Sequence, residues 1–132
     1  MNIPNNLISK TIAGGFLICV LMSGPCVSAE TAAGTKNLTE TIQYLLDFVN
    51  SSECRFYRNN KEHTAGEAAA HMQKKYNHFK KDIKTGDDFI RLTATKSLIS
   101  GKLYYVKLKD GKTITSEAWL LEALKDYRQR QK

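Results

Sequence analysis

The side chains of this sequence best suited to covalent chemistry are the thiol of Cys54 and the imidazole of His71. A thiol acts as a nucleophile when a neighbouring base or cation favours its thiolate. We nominate His71 as that base, although nothing close to it in sequence would orient the ring. A thiol-dependent enzyme that uses Cys54 with His71 is therefore the alternative hypothesis, and the sequence favours a protein that is not an enzyme.

Cys54 also has simpler interpretations. A free cysteine often packs as a small hydrophobe, and Cys54 alternates in phase with Phe56 along a predicted strand. It can instead pair with a cysteine of another molecule or react. These interpretations stay open, and the pattern favours burial beside Phe56.

The helix predicted to carry His71 also places Lys75, His78 and Asp82 on the same stripe. His71 and His78 are separated by about 10 Å of helix rise, which is too far to share one ion. His78 and Asp82 are close enough, but no third ligand is visible. We therefore predict no metal and no cofactor.

Five lysines on this helix and just after it could form an anion-binding surface. They are Lys74, Lys75, Lys80, Lys81 and Lys84. A lysine-rich outer face is also what any exposed amphipathic helix shows. Both interpretations stay open, and the solvated face is the simpler one.

Residues 1–29 have the three zones of a secretory signal peptide. Residues 1–10 are polar with one cation, residues 11–22 (TIAGGFLICVLM) are apolar and uncharged, and residues 23–29 end in the small-residue exit Val-Ser-Ala. A bilayer-spanning helix needs about 20 apolar residues, and this run has 12. We predict cleavage after Ala29, a periplasmic or secreted protein, and no stable membrane span after cleavage.

Cleavage would leave a basic chain with one cysteine, Cys54. It would contain 19 Lys and Arg against 13 Asp and Glu, a net charge of +6. A disulfide framework within one molecule is then excluded. The charge favours an anionic envelope component or a periplasmic protein as partner and, in that compartment, not nucleic acid. Solvated lysines that keep a small domain soluble explain the same charge.

Apolar residues at three- and four-residue steps predict four helices. Capping-box patterns at Asn37–Glu40 and Thr64–Glu67 open the first two, and acidic residues after Thr85 suit the start of the third. The predicted helices span about 38–50, about 65–83, a segment from Thr85 to about Ala94, and a last segment capped by Thr115 or Ser116.

Two short hairpins are predicted between these helices. In the first, Cys54–Arg58 alternates, Asn59-Asn60 tolerates the positive φ of a tight turn, and Lys61–His63 returns. In the second, residues 103–108 (LYYVKL) have strand composition, Asp110-Gly111 is a turn signal and residues 112–115 return. Residues 97–102 are predicted to form a turn or loop.

The pattern of helix, hairpin and helix occurs twice, and a few positions recur at an offset of 51 residues: Asn60-Lys61 aligns with Gly111-Lys112, and Thr64 with Thr115. Duplication and coincidence both explain so few positions. We predict an α+β fold in which two helix–β-hairpin–helix units form a small antiparallel sheet packed against four helices. This single domain spans residues 38–132 and follows a flexible leader at residues 30–37.

Short motifs run through the predicted domain from Leu38 to Arg128. They are Leu45-Leu-x-Phe48-Val, Ser52-x-Cys54-x-Phe56-x-Arg58-Asn, Glu67-Ala-Ala, Phe89-Ile90, Ser97-x-x-Ser100-Gly and Trp119-Leu. In these motifs the sequence resembles the YfeK-like family of small exported bacterial proteins of unknown function. Asn60 and Leu103 depart from the glycine and proline expected there. The resemblance implies a bacterial periplasm and supplies no activity.

The export signal, the basic mature chain and the lack of a complete catalytic set favour a non-enzymatic binding or accessory protein of the cell envelope. The enzyme that uses Cys54 with His71 is the alternative. A third hypothesis is an envelope-polymer binder that uses the five lysines, whose binding would be sensitive to salt.

Overall fold

The structure is a computed structural model that describes residues 29–132. All of the predicted signal peptide except Ala29 lies outside the described residues, as do Cys19 and Cys26. The helices are α1 (Ala29–Asn50), α2 (Ala65–Phe79), α3 (Gly86–Thr93) and α4 (Ser116–Arg130), and the strands are β1 (Arg55–Arg58), β2 (Lys61–His63), β3 (Tyr105–Lys107) and β4 (Thr113–Thr115). The predicted α+β fold is confirmed. None of the helices in residues 29–132 is long and apolar enough to cross a membrane.

The first helix begins earlier than predicted. α1 starts at Ala29 instead of residue 38, so residues 30–37, predicted as a flexible leader, continue the helix. Alanines at positions 32 and 33 favour this extension. Asn37 lies inside α1, where its backbone carbonyl accepts the Thr41 hydroxyl at 2.8 Å. The capping box predicted at Asn37–Glu40 is therefore wrong.

Both predicted hairpins are confirmed, and they join into one antiparallel sheet with the strand order β2-β1-β3-β4. Asn59 and Asn60 turn the first hairpin with φ angles of 52° and 65°, and Gly111 turns the second with a φ of 87°. Asparagine tolerates this left-handed conformation, which is why Asn60 forms the turn without the glycine expected there.

The two hairpins are related by an approximate twofold axis that is perpendicular to the sheet and passes between Phe56 and Val106. Phe56 faces Val106 across these central strands, so strand positions repeat at an offset of 50. Phe56 pairs with His63, seven residues later, in the first hairpin. Val106 pairs with Ile114, eight residues later, in the second. The second hairpin is one residue longer, so the helix caps that follow the two hairpins, Thr64 and Thr115, are 51 residues apart.

The helices cover one face of the sheet and enclose the core. The largest fully buried apolar side chains are Leu45, Val49, Phe89, Ile90, Val106, Leu120 and Leu124. On the opposite face of the sheet, Arg55, Tyr105 and Lys107 are exposed. The alternation of the strands therefore decides which of their side chains can contribute to a site between the sheet and the helices.

The second helix is shorter than predicted. α2 ends at Phe79, four residues before the predicted end at position 83. The chain turns there and buries Ile83. The Asp88 carboxylate accepts the backbone N–H groups of Lys84 and Thr85, each at 3.2 Å. These bonds fix the start of α3 and separate it from α2.

Candidate functional site

A cleft opens beside His71, between the first hairpin, α2 and the segment that precedes β3. Its cavity volume is about 30 Å³, which is room for about two or three water molecules, within a depression of about 380 Å³ that opens to solvent. Its apolar lining is Phe56, Ala68, Met72, Ala94 and Leu120, and its polar side chains are those of Arg58, His63, His71, Thr93, Tyr104 and Ser116. Tyr57 also borders it, but its hydroxyl donates to Glu62 at 2.7 Å on the other face of the sheet. We call this site the His71 cleft.

Local structure explains why the polar groups meet here. Arg58 is in phase with the buried Phe56 on β1, so it lies on the face that the helices cover. Extending the β1–β3 register by one residue places Tyr104 beside Arg58. His71 and Lys75 lie one turn apart on α2 and reach the same place from the opposite side.

His71 is an uncharged hydrogen-bonding group in this cleft. Its Nε2 lies 3.4 Å from the Tyr104 hydroxyl, and the two rings meet edge to face with centroids 5.9 Å apart. Burial, followed by the positive charges of Arg58 and Lys75, lowers the pKa of His71 to about 4. At neutral pH the imidazole therefore offers one donor and one acceptor.

Lys75 is a fixed internal cation. Only 6% of the residue is exposed, its Nζ donates to the backbone carbonyl of Lys96 at 3.0 Å, and it lies 5.3 Å from the centroid of the Tyr104 ring. Burial and the charge of Arg58 lower the pKa of the ammonium group. Lys75 therefore supports the wall of the cleft and does not belong to a solvated lysine surface.

Ser116 contributes a buried hydroxyl that lacks a partner. The residue is 4% exposed, and its Oγ makes no hydrogen bond within residues 29–132. A buried polar atom left unpaired costs about 1–3 kcal/mol. Because Ser116 lines the cleft, a bound group could satisfy it.

Arg58 is the cation of the cleft that is free to take an anion. In the described part of the chain its guanidinium has no carboxylate partner, whereas Arg55, on the other face of β1, lies 3.7 Å from Glu62. None of the residues that line the cleft is Asp or Glu. The carboxylate of Glu67 lies 3.9 Å from Nδ1 of His63 at the rim.

This arrangement suits a small anionic group. A guanidinium presents parallel N–H donors that match a carboxylate or phosphate, and the Tyr104, His71 and Ser116 side chains add donors or acceptors around it. The apolar lining favours a ligand whose anionic end is attached to a short hydrocarbon part. The small cavity volume limits the enclosed part of that ligand to a few atoms.

Cys54 is not brought together with His71. The thiol is buried, contacts the Ser52 carbonyl at 3.5 Å and lines a separate depression beside Thr64 and Gly66 at the start of α2. His71 lies further along α2 and is next to Arg58, the last residue of β1. The structure therefore gives the thiol no base from the His71 cleft.

The other predicted site residues are at the surface. Lys74, Lys80, Lys81 and Lys84 are exposed, and His78 and Asp82 are exposed as well. No group of three or more potential metal ligands occurs among the residues that the structure describes. The surface lysines therefore remain a candidate anion-binding face without Lys75, and Lys84 lines a shallow depression that Arg128 also lines.

Three residues of the cleft were missed as candidates. Arg58 and Tyr104 could have been found from strand phase, because Arg58 alternates with Phe56 and Tyr104 with Val106. Ser116 gives no such signal, since its sequence context predicts only the start of a helix.

The fold and the cleft define a small α+β domain with an anion-compatible cleft between its sheet and its helices. The chain belongs to the family of unknown function DUF5329, whose model matches residues 36–128. This match covers nearly all of the described domain and agrees with the resemblance to an uncharacterised family; the YfeK-like name stays a prediction. No curated protein and no solved structure matches the chain.

Proposed function

We propose that this protein is an exported, non-enzymatic binding or accessory protein of the bacterial cell envelope, and that the His71 cleft holds the anionic group of its partner. The observation that carries the proposal is Arg58, a half-buried cation without a carboxylate partner in the described chain, in a cleft with no acidic lining residue. A cation in such surroundings favours an external anion because no carboxylate of the described residues pairs with it.

Export is supported by the three-zone N-terminus, and an anionic partner is supported by the basic charge of the chain that cleavage would release. Mass spectrometry of the protein recovered from the periplasmic fraction tests this part. A mass that begins at Glu30 is expected. An intact N-terminus on protein from the cytosolic fraction would contradict export and leave the cleft chemistry to its own test.

The cleft is tested by following the His71 imidazole and the Ser116 amide by NMR while acetate, butyrate or inorganic phosphate is added. Saturable shifts of both signals are expected. Arg58→Ala should weaken binding about 10- to 100-fold, the value of a hydrogen bond to a charged group. Butyrate should bind more tightly than acetate because its hydrocarbon part contacts the apolar lining.

Arg55→Ala is the matched control, since it removes the same charge from the other face of the same strand. Its affinity should stay within about twofold of the wild type, because an exposed charge at this distance is screened. Equal shifts in the wild type and in Arg58→Ala would refute the assignment of the cleft.

A pull-down from envelope extract with the wild type and both arginine variants then looks for the physiological partner. A component retained by the wild type and Arg55→Ala, lost with Arg58→Ala and weakened by salt is the expected result. The thiol-dependent enzyme is not supported, because Cys54 and His71 line separate depressions.

A further inference from the structure

The loop at residues 97–102 presents two large apolar side chains to solvent. Leu98 is 62% exposed and Ile99 is 100% exposed. Single exposed apolar residues are common, but two adjacent ones at the tip of a loop form a local apolar surface. Contiguous exposed apolar area is a feature of surfaces that bind a partner or a membrane.

The loop is held in shape by its own hydrogen bonds. The Ser97 N–H donates to the Lys102 carbonyl at 2.9 Å and closes the loop. The Ser97 Oγ accepts the N–H groups of Ile99 and Ser100, each at 3.3 Å. The Ser100 hydroxyl then donates to Asn59 on the neighbouring hairpin at 2.6 Å. The two apolar side chains therefore project from a braced backbone.

The surroundings of the loop are basic. Residues 89–109 contain no Asp or Glu and carry five cations. Arg91 pairs with Asp88 and Lys109 with Glu53, whereas Lys96, Lys102 and Lys107 have no carboxylate partner among the described residues. Lys96 and Lys102 flank the loop directly and are exposed. An apolar tip between two cations combines the two terms that hold a protein on an anionic membrane surface, burial of apolar area and attraction to the lipid charge.

We infer that this loop docks the protein on an anionic lipid bilayer, with Leu98 and Ile99 entering the interface and Lys96 and Lys102 contacting the head groups. A bilayer fits better than a protein partner because the apolar surface is a small protrusion. A stable protein interface buries about 1,200–2,000 Å², which a loop tip does not provide. The inference goes beyond the proposed function because it uses a surface outside the His71 cleft.

The test is sedimentation of the purified protein with phosphatidylglycerol-containing vesicles and with pure phosphatidylcholine vesicles. Binding to the anionic vesicles alone is expected, and high salt should weaken it. Leu98→Ser with Ile99→Ser should lower the partition coefficient about 100-fold, since two large apolar side chains lose their burial. Lys96→Gln and Lys102→Gln should each lower it about fivefold at low salt.

Leu121→Ser is the matched control, because Leu121 is also exposed at 40% but lies on α4. It should bind like the wild type. Absence of binding to anionic vesicles would overturn the inference. Equal binding by the Leu98→Ser/Ile99→Ser variant would also overturn it, because the charge alone would then account for the affinity.

A second measurement does not depend on loss of binding. Ile99→Trp places an indole at the loop tip, and brominated lipids quench an indole that enters the acyl region. Quenching above that of the wild type, whose one tryptophan is Trp119, is expected, and no added quenching refutes insertion. Arg58→Ala should bind vesicles normally, which separates this inference from the cleft.

Discussion

Protonation of His71 should destabilise the folded protein as the pH falls. The pKa of His71 is lowered from 6.5 to about 4 in the folded state. Between these two values the unfolded chain binds a proton that the folded chain does not, so stability is fully present above about pH 6.5 and is lost toward about pH 4. A difference of about 2.5 pKa units corresponds to about 3.4 kcal/mol as an upper limit. Because the imidazole is only half-buried, we expect about 1–2 kcal/mol.

The assay is urea unfolding followed by circular dichroism at several values between about pH 7 and about pH 4. His71→Gln should flatten the decline by about 1–2 kcal/mol relative to the wild type. His78→Gln is the control, since His78 is exposed on the same helix, and it should keep the wild-type decline. Carboxylates such as Glu67 titrate in all three proteins and cancel in the comparison. Parallel curves for the wild type and His71→Gln would refute the account of the buried imidazole.

Three further predictions concern single side chains. Ser97→Ala should lower the free energy of unfolding by about 1–2 kcal/mol because the backbone N–H groups of Ile99 and Ser100 lose their acceptor; urea unfolding measures the change, and an unchanged value would show that solvent replaces the Ser97 hydroxyl. Cys54, 8% exposed, should react with a thiol reagent only after denaturation, and rapid reaction of the native protein would contradict its burial. Gly86→Ala should lower the melting temperature through about 1–3 kcal/mol of overpacking, because an added Cβ would lie 3.0 Å from Leu124 of α4 and 3.0 Å from Thr41 of α1. An unchanged melting temperature would contradict this close packing.

The parts of the fold set by local chemistry could be predicted from the sequence. Thr64 and Glu67 form the predicted capping box, and Gly111 turns the second hairpin as predicted. Each of these signals depends on residues within one turn of chain. The start of α1 could not be predicted in this way, because residues 29–37 show no apolar periodicity and are helical without it.

The candidate site could be predicted only in part, because its chemistry depends on distant contacts. His71 was recognised as a candidate, but its partner Tyr104 is 33 residues away in the chain. Lys75 has the sequence context of a surface lysine, and its burial depends on the carbonyl of Lys96 on another segment. Whether the Ser116 hydroxyl has a partner depends on the packing around it, which its sequence neighbours do not show.

The most direct test of the central claim, that the His71 cleft is the anion site, is anomalous diffraction from crystals soaked in selenate. A selenium peak within hydrogen-bonding distance of the Arg58 guanidinium is expected in the wild type, and Arg58→Ala should lack it. An empty cleft, with selenate only at the exposed lysines of α2 such as Lys74, would contradict the claim.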